Sequence, residues 1–279
     1  MEKLIEKMKM DLELQDYSQK TVKSYLWHIR DFYNYFKGAV TDLGEDDIRK
    51  YLYHIKHEKG YGRSYLSQAY SSIKFLYRET IDIPISLNKL RGPKRMIRLP
   101  VIFSQEEMKR LFDATENIKH KTILMVTYAG GLRVNEVAHL KINDIDSDRM
   151  QIRVRQGKGR KDRYTLLSPK VLRRLQEYWR AYRPKDWLFP SRRKGSPICT
   201  STIQRVFKQS KKKAGIQKEA SVHTLRHSFA THLLEQGVNL FVIQKLLGHK
   251  YIQSTLVYLH LQAPSQCKAV SPIDQILEV

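Results

Sequence analysis

Arg133, Lys158, His223, Arg226, His249 and Tyr258 lie in order along the second half of a 279-residue chain. They sit in short motifs: Gly-Leu-Arg133, Gly-Lys158-Gly, His223-Thr-Leu-Arg226-His227, Leu-Leu-Gly-His249, and finally Tyr258 itself. Two arginines, a lysine and two histidines can surround a phosphate and donate hydrogen bonds to its oxygens. A tyrosine placed beside them can attack the phosphorus. No acidic pair or thiol competes for the role of reaction centre. The set implies cleavage and rejoining of a nucleic-acid backbone without a metal ion.

Taken singly, each residue has an ordinary explanation. Arg133 follows Gly130-Gly131-Leu132, where one helix ends and another begins, and such an arginine usually forms a surface salt bridge, here to Glu136. Its guanidinium fork also suits two oxygens of a phosphate. Lys158 stands at a hairpin tip between glycines, where an exposed basic turn is common. The spacing around it is not that of a P-loop. His223 and Arg226 are three apart on an expected helix and share one face. His227 is four from His223, but no Glu occupies the HExxH position and no third ligand is evident, so zinc is disfavoured. His249 follows an apolar helix end and a glycine stop. Tyr258 is one of 16 tyrosines, singled out by order and spacing alone.

The composition favours a polyanionic partner. Net charge is +23 and the pI about 9.9. Residues 1–92 hold 16 Lys/Arg against 13 Asp/Glu, whereas residues 93–279 hold 35 against 15. An asymmetry from +3 to +20 points to a dedicated binding surface in the second part. Cys199 and Cys267 lack CxxC spacing, which argues against a disulfide framework or thiolate metal site and fits a reducing cytosol. No signal peptide, membrane span or internal repeat is expected.

These residues must be positioned by a mainly α-helical chain. Residues 1–87 read as a helical bundle, with Ser18 starting a helix that carries Val22, Tyr25, Leu26, Ile29, Phe32, Tyr33 and Phe36. Further periodic runs lie near 45–59 and 64–80. Residues 88–100 form a basic linker interrupted by Gly92, Pro93 and Pro100, which suits a strap across a DNA backbone. Residues 101–259 read as a second, mostly helical domain, starting with a capping box at Ser104–Glu107. Strands over Met150–Arg155 and Arg163–Leu167 form a small antiparallel sheet across a Gly-rich turn. Helices follow over 168–182, 200–214, 222–236, 239–247 and 252–259, the last carrying Tyr258. Residues 260–279 form a loop-like tail.

Together these motifs resemble the tyrosine recombinase (phage integrase) family over nearly the whole chain. Ser18-x-x-Thr21-x-x-x-Tyr25 is similar to the start of that family's helical core-binding domain. The compact length resembles most the Xer-type recombinases, with no further domain expected before the core-binding helices. The tail motif Ser271-Pro-Ile-Asp resembles tails of mobile-element and integron integrases, although the inserted segment of integron integrases is not identified before His223. The resemblance therefore covers both Xer-type dimer resolution and integration or excision of mobile elements.

The resemblance implies a site-specific recombinase that breaks and rejoins strands through a 3′-phosphotyrosine at Tyr258. Arg133, Arg226 and His249 would stabilise the non-bridging oxygens, Lys158 would protonate the leaving 5′-oxygen, and His223 would assist proton transfer or bind the phosphate. Bond energy is kept in the phosphotyrosine, so no cofactor, metal or ATP is required. The implied partner is double-stranded DNA with a specific recombination site, held by a homotetramer on two sites whose tails pass between protomers. A cytoplasmic location is expected and no membrane partner; accessory proteins are left open. A type IB topoisomerase would share the chemistry, but the short helical N-terminal part fits a recombinase better. A non-enzymatic DNA-binding regulator would explain the charge and not the ordered catalytic-type residues.

Overall fold

Ser18 accepts a hydrogen bond from the Thr21 amide at 3.2 Å and so starts the second helix of the chain. The computed structural model describes residues 1–37, 40–83, 99–155, 162–193 and 195–261. Contacts divide the chain into two compact units, Met1–Ile97 and Arg98–Val279. Of the basic linker, residues 88–98 lie outside the described residues, as do the hairpin tip 156–161 and the tail from 262.

Unit one packs α1 (Glu2–Leu14), α2 (Gln19–Phe36), α3 (Glu45–His57) and α4 (Arg63–Phe75) around Met8, Leu12, Phe32, Ile48 and Tyr51, all fully buried. Asp31 on α2 accepts hydrogen bonds from Tyr51 on α3 at 2.8 Å and Tyr65 on α4 at 3.1 Å. One carboxylate thus ties three helices and satisfies a buried phenol. The periodic run expected to 80 changes pitch after Phe75, where Leu76–Ile81 form a π-helical turn that leaves the adjacent Leu76 and Tyr77 both buried.

Unit two begins at α5 (Gln105–Asp113). Ser104 Oγ accepts from the Glu107 amide, and the Glu107 carboxylate accepts from the Ser104 amide at 2.8 Å. Helices α6 (Ile118–Ala129) and α7 (Val134–Ala138) follow, then β1 (Ile145–Asp146), β2 (Gln151–Val154) and β3 (Arg163–Leu166). The sheet is antiparallel in the order β1-β2-β3, with Ile152 opposite Thr165 and both turned inward. β1 was not expected, because two residues are too few to show alternation. After α8 (Pro169–Tyr182) and α9 (Thr200–Lys213) comes α10 (Val222–Glu235), which is buried on nearly every side against α6, α9 and α11 (Leu240–Leu247). That position makes α10 the natural carrier of buried charge.

The final helix, α12 (Gln253–Leu256), is shorter than expected and does not include Tyr258. Instead the chain tightens: the Tyr258 amide donates to Thr255 O, and the Leu261 amide to Tyr258 O, both at 3.0 Å and both spanning three residues. These tighter turns place Tyr258 inside the unit, 1% exposed.

Gly131 makes the close approach of α6 and α10 feasible. Its φ is +57°, and a Cβ there would overlap the Phe229 ring of α10. Gly131→Ala should therefore lower stability by roughly 2–4 kcal/mol, combining left-handed strain with overpacking. Chemical denaturation would show this as a lower midpoint of unit two, and an unchanged midpoint would contradict the packing described.

Candidate active site

Three arginines from separate elements meet around one carboxylate. Arg133 caps the N-terminus of α7; its amide donates to Glu136 Oε2 at 2.8 Å and its Nη1 to Glu136 Oε1 at 2.7 Å. Arg163, the first residue of β3, binds the same carboxylate through both Nη atoms at 2.8 and 2.7 Å. Arg226 on α10 places Nη1 3.8 Å from Glu136 Oε2. Its fork donates to Gly131 O and Leu247 O, each at 2.6 Å.

The C-terminus of α11 supplies part of this frame. A helix leaves its last four carbonyls without intrahelical partners. Here the His249 amide satisfies Gln244 O, the Gly248 amide satisfies Lys245 O, Arg163 Nε binds Leu246 O at 2.9 Å, and Arg226 takes Leu247 O. Gly248 adopts φ +64°, as this reversal requires, and a Cβ there would lie 2.7 Å from Arg163 Cδ. The Leu-Leu-Gly-His motif is thus a helix end closed by two arginines, and it delivers His249 to the site.

Tyr258 lies between two imidazoles. His227 Nδ1 is 3.0 Å from its hydroxyl, while the His249 ring lies nearly parallel to the phenol with centroids 6.5 Å apart. His249 Nδ1 is held by Thr255 Oγ1 at 2.9 Å. His223 stands exposed at the rim, one turn before His227 on α10. Lys158 lies outside the described residues. The remaining sequence-selected residues, Arg133, His223, Arg226, His249 and Tyr258, are all brought into this one region.

Electrostatics follow from burial and crowded cations. Glu136 is held down from 4.5 to about 2, because its bonds to Arg163 and Arg133 outweigh the opposing effect of burial. Burial, followed by nearby cationic charge, lowers His249 to about 3, so its ring is neutral at neutral pH. Burial raises the Tyr258 phenol, while Arg226 and Arg133 pull it back down. Burial and Arg133 also weaken the Arg226 cation, toward about 9, which still leaves it charged at neutral pH. A phosphate entering this region would relieve the repulsion among the arginines.

A cleft of about 1010 Å³ opens beside the site, lined by His223, His227, Phe207, Lys208, Lys211 and Lys212. Among the described residues no group of three His, Cys, Asp or Glu is arranged to hold a metal ion. None of their helices is long and apolar enough to cross a membrane.

Sequence reading left three members of this arrangement without a functional role. Glu136 entered only as a partner for Arg133, Arg163 as a hairpin residue, and His227 as half of a disfavoured zinc pair. The signal for Glu136 was its place at the third position of a helix capped by Arg133, where a carboxylate reaches back to the cap. Arg163 carried no comparable local signal, because its partners lie 27 and 83 residues away.

Residues 102–264 match the phage integrase family, and residues 4–87 match the phage integrase N-terminal SAM-like domain. A tyrosine recombinase of Thermosipho africanus is 30% identical, covering 98% of this chain and 100% of that protein. The crystal structure of XerA recombinase is 31% identical with a TM-score of 0.56, covering 95% of each chain. A lambda integrase tetramer bound to a Holliday junction shares the fold at 19% identity and a TM-score of 0.73, covering 97% of this chain and 79% of that one. The chain belongs to the phage integrase family and is a tyrosine recombinase of the compact Xer type. Its activity is site-specific DNA recombination.

The depressed pKa of Glu136 has a stability consequence. A carboxylate with a lowered folded-state pKa stabilises the fold above its unfolded value and loses that contribution as pH falls through the folded value. For Glu136 the window runs from 4.5 down to about 2, and the contribution is about 3 kcal/mol. Urea unfolding from pH 6 to pH 2 should show Glu136→Gln less stable at pH 6, with the gap to the parent closing on acidification. A gap constant with pH would contradict this assignment.

Proposed function

We propose that Tyr258 is the nucleophile, forming a 3′-phosphotyrosine and releasing a 5′-hydroxyl, as is typical of the family. The observation that carries this reading is the Tyr258 hydroxyl, buried, bound to His227 and under the field of Arg226 and Arg133. In this reading the guanidinium groups of Arg133 and Arg226 and the ring of His249 donate to the non-bridging oxygens as charge develops on them. Lys158 protonates the departing 5′-oxygen, and His223, at the rim, binds the phosphate. The frame is rigid before substrate arrives, since Arg226 is fixed by two carbonyls and Arg133 by Glu136. Little reorganisation is then needed in the transition state.

The DNA partner is a duplex bearing a specific recombination site, contacted mainly through residues 93–279, where the excess of basic residues lies. Two such sites are held by a homotetramer, in keeping with the tetrameric lambda integrase assembly. Residues 1–87 act as the core-binding domain, 88–100 as the linker and 101–259 as the catalytic domain. The tail with Ile273, Ile276 and Leu277 lies outside the described residues; in this reading it passes to the adjacent protomer, as the family resemblance implies. The protein acts in the cytoplasm.

Two substitutions test the chemistry on a nicked suicide duplex, with the covalent adduct read by denaturing electrophoresis. Tyr258→Phe should retain DNA binding and form no adduct; an adduct in that variant, at Tyr251 for example, would reassign the nucleophile. Lys158→Ala should block cleavage of ordinary DNA, with a loss on the order of 100-fold or more, and recover with a 5′-phosphorothiolate leaving group that needs no proton. Equal loss on both substrates would remove Lys158 from the acid role.

A further inference from the structure

We infer that His227, rather than His223, takes the phenolic proton of Tyr258 as the tyrosine oxygen bonds to phosphorus. This inference rests on Tyr258 being the nucleophile. The first observation is contact: His227 Nδ1 lies 3.0 Å from the Tyr258 hydroxyl, within reach for direct transfer. The second is access. Tyr258 is 1% exposed, so its proton needs an acceptor inside the protein, whereas His227 is only half-buried and lines the open cleft. The imidazole therefore joins a buried hydroxyl to a route toward solvent.

The neighbouring rings are placed for other work. His249 lies face-parallel to the phenol and its Nδ1 is engaged by Thr255 Oγ1. His223 is one helical turn away and exposed on the rim. Burial, then the His223 and Arg226 charges, keeps His227 near a pKa of about 4, so the ring is neutral at neutral pH. In the tautomer with its proton on Nε2, Nδ1 has the lone pair that accepts the Tyr258 O–H. An incoming phosphate brings negative charge that offsets Arg226 and strengthens His227 as a base, while Arg226 and Arg133 stabilise the phenolate.

The step balances. A bond forms between Tyr258 Oη and phosphorus as the bond from phosphorus to the 5′-oxygen breaks. The phenolic proton passes to His227 Nδ1, giving an imidazolium, and the 5′-oxygen takes a proton from the general acid. Rejoining reverses both transfers: the attacking 5′-hydroxyl expels Tyr258, and the imidazolium returns a proton to the phenolate. No proton is consumed over the cycle.

A ring-fluorinated tyrosine at position 258, whose phenol is more acidic, separates proton removal from simple positioning. In the parent, the adduct peptide is first mapped by mass spectrometry; a different tyrosine there would overturn the nucleophile assignment itself. With the adduct at position 258, His227→Ala should slow its formation by roughly 100-fold on a nicked suicide duplex. His227→Asn, which keeps an acceptor of similar reach but no usable base, should lose as much and serves if the alanine variant does not fold. Fluorinated tyrosine should restore at least about tenfold in either His227 variant and give no comparable gain in His223→Ala, since general-base effects scale with the acidity of the group deprotonated. Near-parental cleavage by both His227 variants, or a gain from fluorination that is not selective for them, would overturn the inference.

Discussion

Glu136 accepts hydrogen bonds from Arg133 and Arg163 while Arg226 approaches it to 3.8 Å, so three guanidinium groups share one carboxylate. Like charges at this spacing repel strongly when water is excluded, and Arg226 is 4% exposed. Glu136 offsets that repulsion and helps to hold the three cations together in the folded chain. With it the region keeps two uncompensated positive charges, three from arginine less one from glutamate. That residue of charge is what a phosphodiester can neutralise. The same interaction thus stabilises the fold and leaves an anion-binding deficit at its centre.

The carboxylate is itself positioned by backbone constraints. Gly131 must adopt a left-handed conformation beneath Phe229 so that Arg133 can cap α7, and Gly248 must do so beneath Arg163 so that α11 can end there. Each arginine then completes a helix terminus as well as a charge cluster: Arg163 and Arg226 take the two α11 carbonyls that the backbone leaves unpaired. Lysine could not perform this combined task, because its single ammonium lacks the planar fork that reaches a carboxylate and a carbonyl together. Arg163 also ties the base of the β2–β3 hairpin to Glu136, which couples the strand following Lys158 to the arginine frame.

Much of this was legible in the chain. Ser18 and Ser104 announced helix starts that the structure closes with hydrogen bonds to Thr21 and Glu107, and the periodic stripe of α2 places Val22, Leu26, Ile29 and Phe32 in the core. The ordered motifs pointed to the family, and those among the described residues occupy chain reversals or helix faces around Glu136 and Tyr258. What escaped was non-local. Arg163 meets Glu136 and Leu246 only in the folded chain. Helix α10 was expected over 222–236 and spans Val222–Glu235, but its burial on nearly all sides was not foreseen, because it leaves no amphipathic pattern in the sequence. Tyr258 seemed helical because Gln253–Leu256 continue a helical spacing, yet tighter three-residue turns carry it inward. His227 entered only as half of a disfavoured zinc pair with His223, whereas its actual partner lies 31 residues onward.

These constraints converge on one central claim: the arginine frame around Glu136 presents a phosphate to Tyr258. A structure of the protein with duplex DNA and vanadate, which adopts the trigonal bipyramid of phosphoryl transfer, tests that claim most directly. The account predicts vanadium bonded to Tyr258 Oη, with Arg133 and Arg226 donating to its equatorial oxygens and Glu136 still bound to Arg163. Vanadium bonded to another tyrosine, or held away from Arg133 and Arg226, would contradict it.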